Sequence, residues 1–132
     1  MRERVLVVDD AANLRELLTV LLEVEDDFEV VAAVGDGAQA LAKADELEPD
    51  IVLLDIAMPV MDGFAALPEL RRRLPDASIV IFSAYEQRDQ AERALSYGAD
   101  IYIEKGTSVV NLVTQIRELR ANRRPGDGRL QA

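Results

Sequence analysis

The sequence contains neither cysteine nor histidine among its 132 residues. Their absence removes disulfides, thiolate metal sites, cysteine nucleophiles and histidine general bases from its chemistry. Zinc is disfavoured because its usual ligands are missing. There is no tryptophan, and aromatic residues make up only 5% of the chain, so its core has to be built from Leu, Val, Ile and Ala. Apolar residues at 49% suffice for that. Positive charge is also scarce: 15 Lys and Arg face 25 Asp and Glu, a net charge of −10. Such a chain repels phosphate backbones, so no direct nucleic-acid binding by this segment is expected. No run reaches 18 apolar residues, and no basic-then-apolar leader precedes Val5. No membrane span or secretion signal is therefore expected, and a cytoplasmic location is.

What is present is a repeating pattern. Short β-branched runs recur at Val5–Val8, Val30–Val34, Ile51–Leu54, Ile79–Phe82 and Ile101–Ile103. Being short and not alternating, each suits a strand covered on both faces. Between them lie apolar positions at helical spacing. Leu14, Leu17, Leu18, Leu21 and Leu22 form the strongest stripe, and Ala40, Leu41, Ala44 and Leu47 a weaker one. Phe64, Leu67 and Leu70 follow the third run, and Ala91, Ala94 and Leu95 the fourth, with Gly98 placed as a helix stop. Val109, Leu112, Val113, Ile116 and Leu119 close the set behind Thr107 or Ser108 as N-cap. Strand and helix alternate five times, which predicts an α/β fold with a parallel sheet between helices. The length fits one domain, residues 1–120. The stretch 121–132 is polar, aperiodic and carries Pro125, Gly126 and Gly128, so it reads as a C-terminal linker or tail.

In open α/β sheets function collects at the carboxyl ends of the strands. There the sequence places Asp9 and Asp10, then Asp55, Ser83, and Glu104 with Lys105. An Asp or Ser just after a strand often caps the next helix, and Asp36 in "VGDGAQA" is assigned to that role. Capping explains neither the doubled acid nor a lysine at a strand end in a chain whose only lysines are Lys43 and Lys105. Carboxylates gathered at ~4 Å repel by about 4 kcal/mol per pair at an effective dielectric of ~20, so the group calls for protonation or a cation. Hard oxygen ligands favour Mg²⁺ or Mn²⁺. A divalent ion, a lysine and a strand-end hydroxyl form a clamp for phosphoryl oxygens. With no His or Cys, a carboxylate is the natural nucleophile, giving an aspartyl phosphate.

"VLVVDD", "IVLLDIAMPVMDG", "IVIFSA" and "GADIYIEKG" resemble, in order and spacing, the four signatures of the response-regulator receiver domain of bacterial two-component signalling. The resemblance covers residues 4 to about 120. It implies a doubly wound, flavodoxin-like five-stranded parallel sheet of order 2-1-3-4-5 with five helices. It implies Asp55 as phosphoacceptor. It implies Asp9 and Asp10 as the Mg²⁺ pair, Asp10 directly and Asp9 mainly through a water, with the Ala57 backbone carbonyl as a further ligand. Ser83 matches the switch hydroxyl, Ala84 the small residue after it, Lys105 the phosphoryl-pairing lysine and Tyr102 the aromatic that turns inward. Met58, Pro59, Asp62 and Gly63 fit a loop and helix start, with roles in turn geometry and capping.

Three departures stand out. Gly106 replaces a proline often found after the lysine, so a trans Lys105–Gly106 bond is expected, with glycine supplying the turn. Ala57 lacks the polar side chain many members carry there, and Tyr85 is bulky. Both are expected to lengthen the life of the phosphoryl group. Implied partners are a sensor histidine kinase or phosphotransfer protein, and a homodimer through helix 4, strand 5 and helix 5. Helix 4, with its thin stripe, is the expected mobile element. The protein is expected not to be an enzyme beyond its own phosphoryl transfer and hydrolysis. Two readings of its output stand side by side, a stand-alone receiver and the N-terminal part of a transcription regulator. The alternative is a receiver-like interaction module that is not phosphorylated. A haloacid-dehalogenase-type phosphatase would need a second acid where Ala57 stands. Nucleotide-binding glycine motifs are absent. Arg71–Arg73 read as a solvated helix end favourably placed on the helix dipole.

Overall fold

The computed structural model describes residues 2–84, 88–106 and 108–122. The elements run β1 Glu3–Val8, α1 Ala12–Glu23, β2 Phe28–Val34, α2 Gly37–Leu47, β3 Ile51–Leu54, α3 Gly63–Arg73, β4 Ser78–Ser83, α4 Arg88–Ser96, β5 Ile101–Glu104 and α5 Val109–Ala121. The five strands form one parallel sheet of order β2-β1-β3-β4-β5, the expected topology.

The three central strands explain the unbroken apolar runs. Successive side chains point to opposite faces, and both faces are covered. Leu6, Val8, Val52, Leu54, Ile79 and Ile81 face one core, closed by Ala40 and Ala44 of α2, Leu67 and Leu70 of α3, and Ala94 of α4. Val5, Val7, Ile51, Leu53, Val80 and Phe82 face the other, closed by Leu18 and Leu22 of α1 and Leu112, Val113 and Ile116 of α5. Each such side chain contributes about 1.5–3 kcal/mol by leaving water.

The edge strands differ from expectation. In β2 the ends Phe28 and Val34 are buried, but the residues between them are half-buried or exposed. In β5 only Ile103 is buried. An edge strand has a neighbour on one side only, so β-branched runs there do not imply two covered faces. Leu17 departs from the α1 stripe and is 50% exposed, whereas Leu18 and Leu22 are buried and Leu14 packs partly buried against the same core. Ala94 alone of the α4 stripe is buried, Leu95 being 48% exposed.

The termini follow local chemistry. Asp36 caps α2, its Oδ1 accepting from Gln39 N–H at 2.9 Å. Asp62 caps α3 through Ala65 N–H at 2.8 Å, and Ser108 caps α5 through Asn111 N–H at 3.2 Å. Gly98 ends α4 with φ +115°, a conformation that favours glycine. Arg71 is not a solvated helix end. Its guanidinium donates to the carbonyls of Gly98, Leu74, Pro75 and Ala77 and pairs with Asp100 at 2.7 Å. Arg72 does remain exposed, beside Glu69. Among the described residues no helix is long and apolar enough to cross a membrane. Tyr85, Thr107 and the tail beyond Asn122 lie outside the described residues.

Candidate functional site

Parallel register brings the strand ends together. Val8 pairs with Leu54, so the next residues, Asp9 and Asp55, leave the sheet side by side. Asp55 N–H donates to the Val8 carbonyl at 2.9 Å, and Asp9 N–H to that of Val34 at 3.0 Å. On the other flank Ser83 pairs with Glu104, and Lys105 N–H donates to the Ser83 carbonyl at 2.7 Å. The lysine is thereby fixed one step beyond the sheet, where its side chain reaches back across β4.

Asp9, Asp10 and Asp55 each offer an oxygen, all within 4.8 Å of one another, a set that can hold a metal ion. Asp9 and Asp55 are buried and Asp10 is exposed. Lys105 Nζ lies 2.8 Å from Asp9 Oδ2 and 3.3 Å from Asp55 Oδ2. The other oxygens of the buried pair are held locally: Asp9 Oδ1 accepts from Ala11 N–H at 2.9 Å, and Asp55 Oδ1 from Ile56 N–H at 2.8 Å. Unscreened by a cation, carboxylates at this separation repel by roughly 3 kcal/mol per pair. Burial, then the charge of Asp9, push the Asp55 carboxyl above its ordinary range, against the opposing pull of Lys105 and Ile56 N–H. Burial pulls the Lys105 ammonium down. The hydrogen bond to Asp9 and the two carboxylate charges outweigh it, and the net shift is upward. The ammonium is therefore charged at neutral pH.

The remaining predicted residues fall around this group. Ser83 is fully buried at the end of β4. Ala84 and Ala57 are exposed beside it and beside Asp55 respectively. Tyr102 is half-buried and packs on the core under α4. The Lys105–Gly106 bond is trans. Gly106, however, supplies no special turn. Its φ is not in the left-handed region, and a Cβ there would meet nothing within 4 Å.

Gly63 carries more than turn geometry. Its N–H donates to the Ile56 carbonyl at 2.8 Å, and a Cβ on it would stand 2.2 Å from the Asp55 carbonyl oxygen. The helix start is thus pressed against the backbone of Asp55, a fit only glycine permits. Val60 in the same loop has φ +66° and is 85% exposed, an unfavourable conformation for a β-branched residue. The sequence reading also missed Arg15. Its guanidinium donates to the Asp9 carbonyl at 2.7 Å and so braces the acidic loop from α1. Its position as the first basic residue after the acid pair was the available signal.

The sequence model of the family described as "Response regulator receiver domain" matches residues 5–117. The chain is 43% identical to protein-glutamate methylesterase/protein-glutamine glutaminase 1 of Paramagnetospirillum magneticum, over 93% of this chain and 35% of that protein. It is 36% identical to response regulator protein VraR of Staphylococcus epidermidis, over 89% of this chain and 56% of that one. It spans about a third to a half of these relatives' lengths. Among solved structures, a LuxR-family two-component response regulator from Aurantimonas sp. superposes with a TM-score of 0.87 at 31% identity, covering 94% of this chain and 89% of that one. The response regulator domain of Thermotoga maritima CheB gives 0.82 at 32%, covering 89% and 96%. With this sheet order and an aspartate cluster at its carboxyl end, the chain belongs to the response regulator receiver domain family, the phosphorylation-controlled modules of two-component systems.

Proposed function

We propose that Asp55 accepts a phosphoryl group from the phosphohistidine of a sensor histidine kinase or phosphotransfer protein and thereby switches an output surface. The observation that carries this reading is the Lys105 ammonium seated between Asp9 and Asp55 at a cluster of three carboxylates. Transfer of a phosphoryl group demands mainly positioning and charge neutralisation. Ile56 N–H fixes Oδ1 of Asp55, and Lys105 supplies positive charge on the side of Oδ2. In-line attack forms the Asp55 oxygen–phosphorus bond as the histidine nitrogen–phosphorus bond breaks. Ser83 then hydrogen-bonds a phosphoryl oxygen, Ala84 leaves room for it, and Tyr102 follows inward.

The donor set fits a hard divalent cation, since it is all oxygen and repels itself when left alone. Asp10, Asp55 and the Ala57 carbonyl would hold Mg²⁺ or Mn²⁺, with Asp9 acting through a water. Both Asp9 oxygens already have protein partners, whereas Asp10 is exposed, which supports that division. Bound there, the ion neutralises charge on the phosphoryl oxygens.

The output face in this reading is α4, β5 and α5, which also forms a homodimer. Phosphorylation shifts a pre-existing equilibrium of that face, α4 being the element that moves. Residues 1–120 form the receiver and 121–132 a linker or tail. The named relatives extend beyond the region this chain spans. An attached effector, a methylesterase or a transcription regulator, is one output this surface would control, and a separate partner protein is the other. With acetyl phosphate and Mg²⁺, the wild-type chain is expected to take up one phosphoryl group and Asp55→Asn none. Labelling at another residue would overturn the site assignment, and no labelling in the wild type would leave an interaction module that is not phosphorylated. Ala57 and Tyr85 give the phosphoryl group a long life. A half-life of seconds in the wild type would overturn that part.

A further inference from the structure

Asp9 is held at its amide, its carboxylate and its carbonyl. Its N–H donates to the Val34 carbonyl at 3.0 Å, Oδ1 accepts from Ala11 N–H at 2.9 Å, and Oδ2 pairs with Lys105 Nζ at 2.8 Å. The remaining tie is the Arg15 guanidinium, which donates to the Asp9 carbonyl at 2.7 Å. Asp10 has no such support. Its side chain is exposed and has no hydrogen-bond or ion-pair partner among the described residues. One of its oxygens nevertheless lies within 4.8 Å of oxygens of Asp9 and Asp55. The Asp9 carbonyl and the Asp10 N–H belong to one planar peptide unit. The bond from Arg15 therefore sets the orientation of that plane, and with it the direction in which Asp10 leaves the backbone.

Helix chemistry does not account for this arginine. It stands near the amino end of α1, where the helix dipole disfavours a cation. Among the described residues its guanidinium pairs with no carboxylate. It is half-buried and reaches over the turn after β2, where a Cβ on Gly35 would stand 3.1 Å from Arg15 Nη1. The guanidinium is thus held between that turn and the acidic loop. We infer that Arg15 is a positioning residue for divalent-cation binding: it fixes the Asp9–Asp10 peptide plane so that Asp10 meets the ion already oriented, without ligating the ion itself. The inference rests on the reading of Asp9, Asp10 and Asp55 as a metal site. Charge and position predict opposite signs here. A positive charge one hydrogen bond from the acidic loop repels a divalent cation, so on charge alone its removal tightens binding. Loss of the fixed plane weakens binding, because the ordering of Asp10 then opposes it.

The test is a titration of the full chain with Mn²⁺, read by the electron paramagnetic resonance signal of the free ion, with Mg²⁺ in competition. Arg15→Met is expected to weaken binding about 10-fold. Arg15→Lys, which retains a charged donor, is expected to recover part of that loss. Gly35→Ala keeps the charge but crowds the guanidinium, and is expected to weaken binding by a smaller factor. With acetyl phosphate, the Mg²⁺ concentration for half-maximal uptake should rise in Arg15→Met by the same factor as the loss of affinity, while the rate at saturating Mg²⁺ stays unchanged. A brace serving stability alone would lower the melting temperature and leave both quantities unmoved in the folded protein. Unchanged or tighter Mn²⁺ binding in Arg15→Met, or in Gly35→Ala if the former does not fold, would overturn the role of Arg15 while leaving the metal site intact. Absence of Mn²⁺ binding in the wild type, or binding that survives Asp10→Asn unchanged, would overturn both.

Discussion

The two ends of the sheet treat charge in opposite ways. At the amino end, arginines reach across the chain to acids or carbonyls. Arg71 joins the end of α3 to Asp100 and the α4–β5 turn, Arg120 joins α5 to Glu3 and Ser78, and Arg117 joins α5 to Glu25 and Asp27. Arg4 N–H donates to Asp50, and its guanidinium to the Leu47 carbonyl. At the carboxyl end, three acids are crowded against one lysine, glycine is pressed onto backbone, and a valine is held at positive φ. Stability is gathered at one end, which lets the other keep unfavourable local arrangements that a ligand can relieve.

Substitutions can break or sharpen this contrast. The largest effect belongs to the amino end. Arg71→Ala removes the ion pair to Asp100, whose Oδ2 keeps the Ile79 N–H, together with the guanidinium's bonds to four carbonyls, and is expected to cost about 3 kcal/mol in urea unfolding. Phosphate uptake at Asp55 should stay at the wild-type rate. A small loss of stability would show that the arginine network is dispensable. At the carboxyl end the sign reverses. Val60→Asn, which accepts the left-handed conformation more readily, is expected to stabilise the chain by about 1 kcal/mol. A loss of stability would show that the Val60 side chain does more than strain its loop.

Asp55→Asn is expected to have the smallest effect, because release from burial and from Asp9 is offset by the lost attraction of Lys105. Its pH dependence is the informative part. The folded state holds the Asp55 proton to higher pH than the unfolded chain. Its contribution to stability is therefore present below the ordinary carboxylate value and lost as pH rises through the raised one. Without divalent cations, Asp55→Asn should melt above the wild type at pH 7, and the gap should close toward about pH 4. A gap that widens on acidification would reverse the assignment of a raised carboxyl.

Much of the fold was legible because its signals are local. Central strands buried on both faces read as unbroken apolar runs, and the caps Asp36 and Ser108 stand next to the helices they start. The strand order came from the resemblance, since periodicity carries no neighbour information. The grouping of Asp9, Asp10, Asp55 and Lys105 was legible from strand ends, because parallel register converts position in sequence into adjacency. Edge exposure in β2 and β5 was not, because it depends on which strand lacks a neighbour. Arg71 was misread because its partners at Gly98 and Asp100 lie 27 and 29 residues away.

Gly106 lies directly after the lysine that spans the acidic pair, with open space where a side chain would go. The chain contains no cysteine. Gly106→Cys would therefore give a single attachment point for a fluorophore or spin label next to Lys105. The occupancy of the site could then be followed optically, in a protein otherwise free of thiols and tryptophan.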